Sequence, residues 1–494
     1  MKRKGHNGGH KAPAKDVRAR GCAPAKATRK GAPGKGAPAC PVAARCGGCD
    51  RVGMAYAEQL AAKQRGIEEL FADWAAPGDV LPIAGMDDPY HYRNKVTSPF
   101  APGRRIAAGG RAGGARATRG AGKGKGGAQH AGRAARLDAP RREILTGMYA
   151  PHSHRLVPTD ECLIENRQAK AVILAVRDLM VRFGVLPYDE DAHAGFLRHA
   201  VVRVGHESGE VLVTLVTNGR EFPGSRAFCR ELVRRCPFVI TVVQNVNTRQ
   251  TNVILGEEER TLFGPGFILD RLCGLSFRIS SRSFYQVNSV QTEVLYRLAI
   301  GLARLTGTET AIDAYCGTGT IGLVAAKNGA ARVIGVDDVP AAIRDARQNA
   351  LHNGIANAEF VAADAGDFMR DLAARRDAGD VPSSGPDTAA GKAAGPGASA
   401  AGKADPGAAG DVPAGELVLF MDPPRAGASE AFLDAACVLA PSRIVYISCN
   451  PETQVRDVAR LAQAGYRVRA VQPVDMFPHT AHVETVVLMT RKDA

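Results

Sequence analysis

The sequence predicts an α/β protein built on a doubly wound parallel sheet, and three observations carry that prediction. From about residue 286, short apolar runs alternate with helical stretches: Ala311-Ile-Asp-Ala-Tyr315, Arg332-Val-Ile-Gly-Val336, Glu359-Phe-Val361, Leu417-Val-Leu-Phe-Met421 and Ile444-Val-Tyr-Ile447. Repeated strand, turn and helix is the pattern of parallel strands joined by crossover helices. The first of these strands runs into a glycine-rich turn, Asp313-Ala-Tyr-Cys-Gly-Thr-Gly-Thr-Ile-Gly322. The last ends abruptly in Ser448-Cys-Asn-Pro451, which sets the thiol of Cys449 at a strand tip, the edge where active sites of parallel sheets gather.

The elements ahead of this region are of a different kind. Residues 1–39 form a basic, glycine-rich tail, followed by a cysteine cluster at 40–49 and a helix over 55–74 with apolar residues at helical spacing. A second basic low-complexity stretch occupies 103–142, and 163–182 reads as an amphipathic helix. Across 196–256 apolar and polar residues alternate in short runs such as Val211-Leu-Val-Thr-Leu-Val-Thr217 and Phe238-Val-Ile-Thr-Val-Val-Gln244, the mark of a β-rich middle region. Residues 375–415 are a third low-complexity stretch, read as a solvated loop. The expected division is therefore a disordered basic tail (1–39), a cysteine-bearing and β-rich region (40–285) and an α/β domain (286–494).

Charge and cysteine usage narrow the class. The 494 residues carry a net charge of +14, yet 1–36 and 103–142 each hold eleven Lys/Arg against one acid, so the rest of the chain is mildly acidic. Basicity confined to segments that cannot build a core favours sequence-independent contact with phosphates. The start, Met1-Lys-Arg-Lys-Gly-His6, has no following apolar stretch, and no run is long enough for a membrane span, so a cytoplasmic protein without membrane contact is expected. Eleven cysteines in such a chain point to metal ligation or thiol chemistry rather than disulfides.

The glycine turn alone leaves two chemistries open. Gly317, Gly319 and Gly322 let the backbone approach a ligand, and Asp337 sits where a carboxylate would grip ribose hydroxyls. A nicotinamide dinucleotide and S-adenosylmethionine both need these parts, so a dehydrogenase competes with a methyltransferase. The fourth strand separates them, because it runs into Asp422-Pro-Pro-Arg-Ala-Gly427, whose prolines stiffen the turn and fix Asp422 at the same edge as Cys449. A dehydrogenase has no use for that pair.

Five linked motifs then resemble the bacterial RNA uracil-5-methyltransferase family: Gln286 in Phe284-Tyr-Gln-Val-Asn288; Tyr315-Cys-Gly-Thr-Gly319; Asp422-Pro-Pro-Arg425; Ser448-Cys-Asn-Pro451 with Thr453, Arg456 and Asp457; and Asp475-Met-Phe-Pro-His-Thr-Ala-His-Val-Glu484. The match covers 286–494 strongly and the front half more weakly, through Tyr92-Arg-Asn-Lys95 and the cysteines. It implies a Rossmann-like class I methyltransferase sheet with a β-rich central domain and an N-terminal iron–sulfur segment. It also implies S-adenosylmethionine contacts from Gln286, Tyr315, Gly317, Gly319, Asp337, Asp364 and Asp422, where the family more often has glutamate at the position of Asp337. Larger family members begin with a small β-barrel RNA-binding module before the cysteine cluster, where about 39 basic, glycine-rich residues are expected to stand in its place here.

The chemistry explains the residue types. Carbon 5 of uracil is a poor nucleophile, so a thiolate first adds to carbon 6 and turns carbon 5 into an enolate carbon that attacks the donor methyl. Cys449 is the expected nucleophile, with some local activation of its thiol, and Glu484 the expected general base that removes the carbon-5 proton. Asp422 would lie between donor and target base. The target is expected in an RNA loop, flipped out of its stack. Cys40, Cys46 and Cys49, with Cys162 as a fourth thiol, suit either zinc or a four-iron cluster by spacing, and the resemblance selects a [4Fe-4S] cluster. The expected substrate is 23S ribosomal RNA, with the T-loop uridine of transfer RNA as alternative and a non-catalytic RNA-binding protein as the reading from another class. A monomer is expected.

Overall fold

The computed structural model describes residues 39–105, 142–377 and 416–491. Most of the basic tail 1–39, of the 103–142 stretch and of the 375–415 loop, together with Cys22, lies outside the described residues.

A first sheet has seven strands: β1 (Lys95–Arg105), β2 (Arg142–Tyr149), β3 (Leu156–Pro158), β4 (Leu197–Val204), β5 (Val211–Thr217), β6 (Val239–Val246) and β7 (Glu258–Phe263), in the order β3-β2-β1-β4-β5-β6-β7. Every neighbouring pair is antiparallel except β5 and β6, which run parallel. A parallel pair needs a crossover, and the helix Ser225–Arg235 provides it, burying Phe228, Cys229 and Leu232. The run 196–256 is thus not all strand. This helix and the helix Arg167–Phe183 cover one face, where Val202, Val213, Leu215 and Val242 meet Val172, Val176 and Leu179. Asn166 caps the longer helix by accepting from the backbone N–H groups of Gln168 and Ala169, and Gly184 ends it at φ 66°.

Strands β8 (Phe267–Leu272) and β9 (Leu275–Ser280) form a hairpin that leads into the second sheet. That sheet holds β10 (Thr310–Ala314), β11 (Arg332–Asp337), β12 (Ala358–Ala362), β13 (Leu417–Met421), β14 (Arg443–Ser448), β15 (Tyr466–Val474) and β16 (Glu484–Arg491), in the order β12-β11-β10-β13-β14-β16-β15. Its first five strands are parallel, while β16 runs antiparallel to both β14 and β15. Strand residues alternate between two apolar layers. Ala311, Val333, Val418, Phe420 and Val445 face the helices Ser289–Ala303, Thr320–Lys327 and Pro340–His352 and the β8-β9 hairpin. Ile312, Ile334, Leu419, Ile444 and Tyr446 face the helices Ala365–Asp377, Glu430–Leu439 and Pro451–Gln463. Burial on both faces is why these strands read as continuous apolar runs.

The helix Tyr56–Leu70, though early in the chain, packs on this second sheet. Its Ile67 and the following Phe71 are buried in the second apolar layer, and Val80 and Ala84 bridge to Val471 and Val474 of β15. Burying side chains of this size contributes about 1.5–3 kcal/mol each.

Candidate active site

The parallel strands bring three reactive side chains to one edge. Asp422 follows β13, Cys449 follows β14, and Glu484 opens β16; these strands are adjacent in the order β13-β14-β16. Because β16 runs antiparallel to β14, its start lies at the same edge as the end of β14, and Ser448 pairs with Thr485 across them. A thiol and a carboxylate distant in sequence thus become neighbours.

Burial governs the electrostatics. It pushes the Cys449 thiol up to about 11, with the nearby Glu484 and Asp422 adding to the rise and Arg425 opposing it. The expected local activation is therefore absent from the free chain: the resting group is a neutral thiol. Burial likewise raises Asp422 to about 7, and burial together with Asp422 holds Glu484 well above the usual carboxylate range. Two carboxyls sharing a dry site disfavour each other's ionisation.

The turn carrying Asp422 is held by the helix Pro451–Gln463. Asp457, which is buried, accepts from the Ala428 N–H at 2.8 Å and from the Tyr446 hydroxyl at 2.7 Å. Arg456 pairs with Asp457 and donates to the carbonyls of Ala426 and Ala428, while Thr453 and Asn450 donate to the carbonyl of Arg425. Gly427 lies at φ 84°, and a Cβ there would meet Arg456 Nη2 at 2.5 Å and Asp457 Oδ2 at 2.7 Å, so only glycine fits.

At the neighbouring tip of β10 the glycine turn is tight, with Tyr315, Gly317 and Gly319 at φ 64°, 54° and 79°. Asp337 Oδ2 accepts from the Gly317 N–H and Oδ1 from the Val339 N–H, both at 2.9 Å. Each oxygen keeps a second lone pair, which suits ribose hydroxyls. Tyr315 leans on Phe432 at 5.2 Å between ring centres, and Asp364 caps the next helix through the Asp367 N–H. Gln286 precedes the helix Ser289–Ala303, its carbonyl held by Asn94 at 2.9 Å. Tyr315, Asp337 and Asp364 stand at the ends of three adjacent strands, β10, β11 and β12, with Gln286 on the segment between β9 and the helix Ser289–Ala303, and the set fits a nucleoside-bearing methyl donor.

The cysteine segment sits close to this edge. A cavity of about 510 Å³ is lined by Cys449, Arg425, Phe477 and His482 together with Gly47 and Gly48 of the cysteine segment. Cys40, Cys46, Cys49 and Cys162 all line a second cavity of about 850 Å³. Among the described residues, however, no three His, Cys, Asp or Glu side chains gather closely enough to hold a single metal ion. The expected ligand set shares a cavity without converging on a point.

Two features escaped the sequence reading. Asp313 is buried inside β10, pushed up to about 7 by burial; its Oδ2 accepts from the Gly322 N–H at 2.7 Å and its Oδ1 has no partner. A lone acid within an apolar strand was the available signal. Lys63 and Gln59 lie on the buried face of the helix Tyr56–Leu70, and polar residues in an apolar stripe could have revealed them.

With this geometry in place, similarity to known proteins becomes interpretable. A family model described as tRNA (Uracil-5-)-methyltransferase matches residues 416–492, and a Methyltransferase domain model matches 305–381. An uncharacterized RNA methyltransferase of Halalkalibacterium halodurans is 37% identical over 456 residues, 92% of this chain and 83% of that one. Another from Lactiplantibacillus plantarum is 39% identical over 89% of this chain and 80% of its own length. The tRNA (uracil-54, C5)-methyltransferase of Pyrococcus abyssi, solved with S-adenosyl-L-homocysteine, matches with a TM-score of 0.60 at 24% identity, over 90% of this chain and 86% of that one, and so shares its fold. The dehydrogenase reading falls away: the chain belongs to the RNA uracil-5-methyltransferase family and is an S-adenosylmethionine-dependent RNA (uracil-5-)-methyltransferase.

Proposed function

We propose that the enzyme methylates a uridine of 23S ribosomal RNA, with Cys449 as nucleophile, Glu484 as general base and Asp422 positioning the target base. The observation that carries the catalytic assignment is the convergence of these three side chains on adjacent strand ends. The Cys449 thiol gives its proton to solvent in the cavity it lines, and its sulfur bonds to carbon 6 as the electrons of the carbon 5–carbon 6 double bond move into the enolate. S-adenosylmethionine supplies the methyl group, which carbon 5 takes as S-adenosylhomocysteine leaves. Glu484, ionised, removes the carbon-5 proton, the sulfur–carbon-6 bond breaks, and Cys449 departs as thiolate. Burial and Asp422 raise Glu484 well above the usual carboxylate range, so a nearby positive charge, such as a bound donor's sulfonium would bring, would favour the ionised form that acts as a base. Gln286, Tyr315, Gly317, Gly319, Asp337 and Asp364 are the proposed donor contacts.

The cysteines favour ribosomal RNA in this reading, because transfer-RNA members of the family often lack them. Cys40, Cys46, Cys49 and Cys162 are proposed ligands of a [4Fe-4S] cluster. A cluster places its thiolates around a cuboid, so lining a cavity suits it better than it suits zinc. The Gly48 N–H donates to Cys46 Sγ at 3.3 Å, the kind of bond that stabilises a ligating thiolate. Its proposed role is structural. The transfer-RNA reading is favoured by the description of the family model matching 416–492.

Mass-spectrometric mapping of 5-methyluridine in ribosomal and transfer RNA, from cells with and without the gene, decides between them. Loss of a 23S site supports the proposal, loss confined to the T-loop replaces it, and no loss in either RNA overturns both. Iron and acid-labile sulfide in anaerobically purified protein test the cluster.

A further inference from the structure

We infer that the buried ion pair of Lys63 and Asp475 is a positioning device for Glu484, tying the seating of the cysteine segment to removal of the carbon-5 proton. The inference rests on the proposed role of Glu484 as base. Lys63 Nζ lies 2.6 Å from Asp475 Oδ1, and both side chains are fully buried. Tyr56 donates its hydroxyl to Asp475 Oδ2 at 2.8 Å, and Lys63 also donates to the Phe477 carbonyl at 3.2 Å. A buried ion pair adds little net stability, because desolvation offsets the attraction, but breaking one is costly. Such a pair is well suited to fixing a geometry.

The geometry it fixes is that of the loop leading to Glu484. Asp475 follows Val474, which pairs across the ladder with Glu484 itself. Beyond it, every residue to 481 except Thr480 is gripped from elsewhere in the chain. Asn288 donates to the Met476 carbonyl and Tyr92 to the Pro478 carbonyl. The His479 N–H donates to Gln59 Oε1 and its carbonyl accepts from the Arg51 N–H, both at 2.9 Å. Asp50, next to Cys49, accepts from the Ala481 N–H at 2.9 Å. The loop's internal hydrogen bonds amount to a short turn, in which the Met476 N–H donates to the Val474 carbonyl and the Thr480 N–H and hydroxyl to the Phe477 carbonyl, and it holds His479 at φ 67°, so its placement depends on these contacts. Cys449 and Asp337 are held by other elements, the former behind the Asp457 brace and the latter by the glycine turn. Disturbing the pair therefore acts on Glu484 before it acts on thiol addition or donor binding.

The test compares Lys63→Met, Asp475→Asn, Lys63→Arg and Glu484→Gln in the full chain. The probe is total RNA from cells lacking the gene, with labelled S-adenosylmethionine. The readouts are donor binding by calorimetry, covalent protein–RNA adduct on denaturing gels, and release of 5-methyluridine. The expected result for Lys63→Met and Asp475→Asn is donor affinity within about twofold of wild type, release slowed about 100-fold, and adduct accumulating as in Glu484→Gln. Lys63→Arg should restore most of the release. If a single variant fails to fold, the uncharged double variant Lys63→Met/Asp475→Asn, verified by circular dichroism and donor binding, replaces it. Wild-type release, or equal loss of adduct and product in a folded variant, overturns the inference. Absence of adduct in Glu484→Gln would instead remove Glu484 as the base.

Discussion

The two large sheets have the same number of strands, yet their edges differ in kind. In the second sheet five parallel strands send all their following turns to one edge, so the glycine turn, Asp337, Asp364, Asp422 and Cys449 meet there. The first sheet has a single parallel pair, and its turns are divided between two edges. It offers instead a surface beside the cysteine cavity, to which Lys95, Thr97 and His199 contribute. Parallel topology concentrates chemistry; mixed topology leaves a scaffold against which the cysteine segment sits.

The sharpest way to break this contrast is at the nucleophile. Cys449→Ala should leave no detectable 5-methyluridine in a labelled-methyl assay while donor binding persists, because the thiol of Cys316, at the same edge, is buried in the glycine turn. Full activity in the variant would overturn the mechanism. Glu484→Gln should slow product release by about 10²–10⁴-fold, the range for loss of a positioned base, and the enzyme should be caught as an adduct on denaturing gels.

A smaller effect should follow from Asp337→Ala. It removes the acceptor that holds the Gly317 and Val339 N–H groups, and calorimetry should show donor affinity weakened about 10–100-fold, as expected for losing hydrogen bonds to a charged group. Replacing Cys40, Cys46 and Cys49 together by Ser sharpens the comparison from the other side. Donor binding should stay within about twofold, since the glycine turn is held by its own sheet, while RNA affinity in a filter-binding assay should fall.

How much of this was legible in the sequence follows from which interactions are local. Strand, turn and helix alternation made the second sheet readable, and the Gly317–Gly319 turn and the prolines after Asp422 marked two of its ends without any tertiary information. The helix Ser225–Arg235 was hidden inside a β-rich reading because the apolar runs on either side of it are true strands. The position of the helix Tyr56–Leu70 was hidden for a different reason: its partner, the segment from Asp475 to Ala481, lies at the far end of the chain. The same distance concealed Lys63. The protonation of the site was likewise invisible, because Cys449, Asp422 and Glu484 owe their raised values chiefly to burial, which spacing does not encode.

The smallest expected effect concerns Asp313, and it separates burial from chemistry. An aspartate in an unfolded chain titrates near 3.8, whereas burial raises this one to about 7 in the native state. Between those values the native chain binds a proton that the unfolded chain has released, so this group's contribution to stability is full below about 4 and declines as pH rises toward 7. The slope cannot exceed about 1.4 kcal/mol per pH unit for one group. Asp313→Asn keeps an oxygen for the Gly322 N–H and removes the titration. Its melting temperature should therefore fall less than that of the wild type between pH 5 and pH 7, the comparison being made by calorimetry without donor. Parallel pH profiles for the two proteins would show that the unpartnered Oδ1 of Asp313 is solvated in solution, and that the buried acid of the parallel sheet behaves no differently from a carboxyl at the surface.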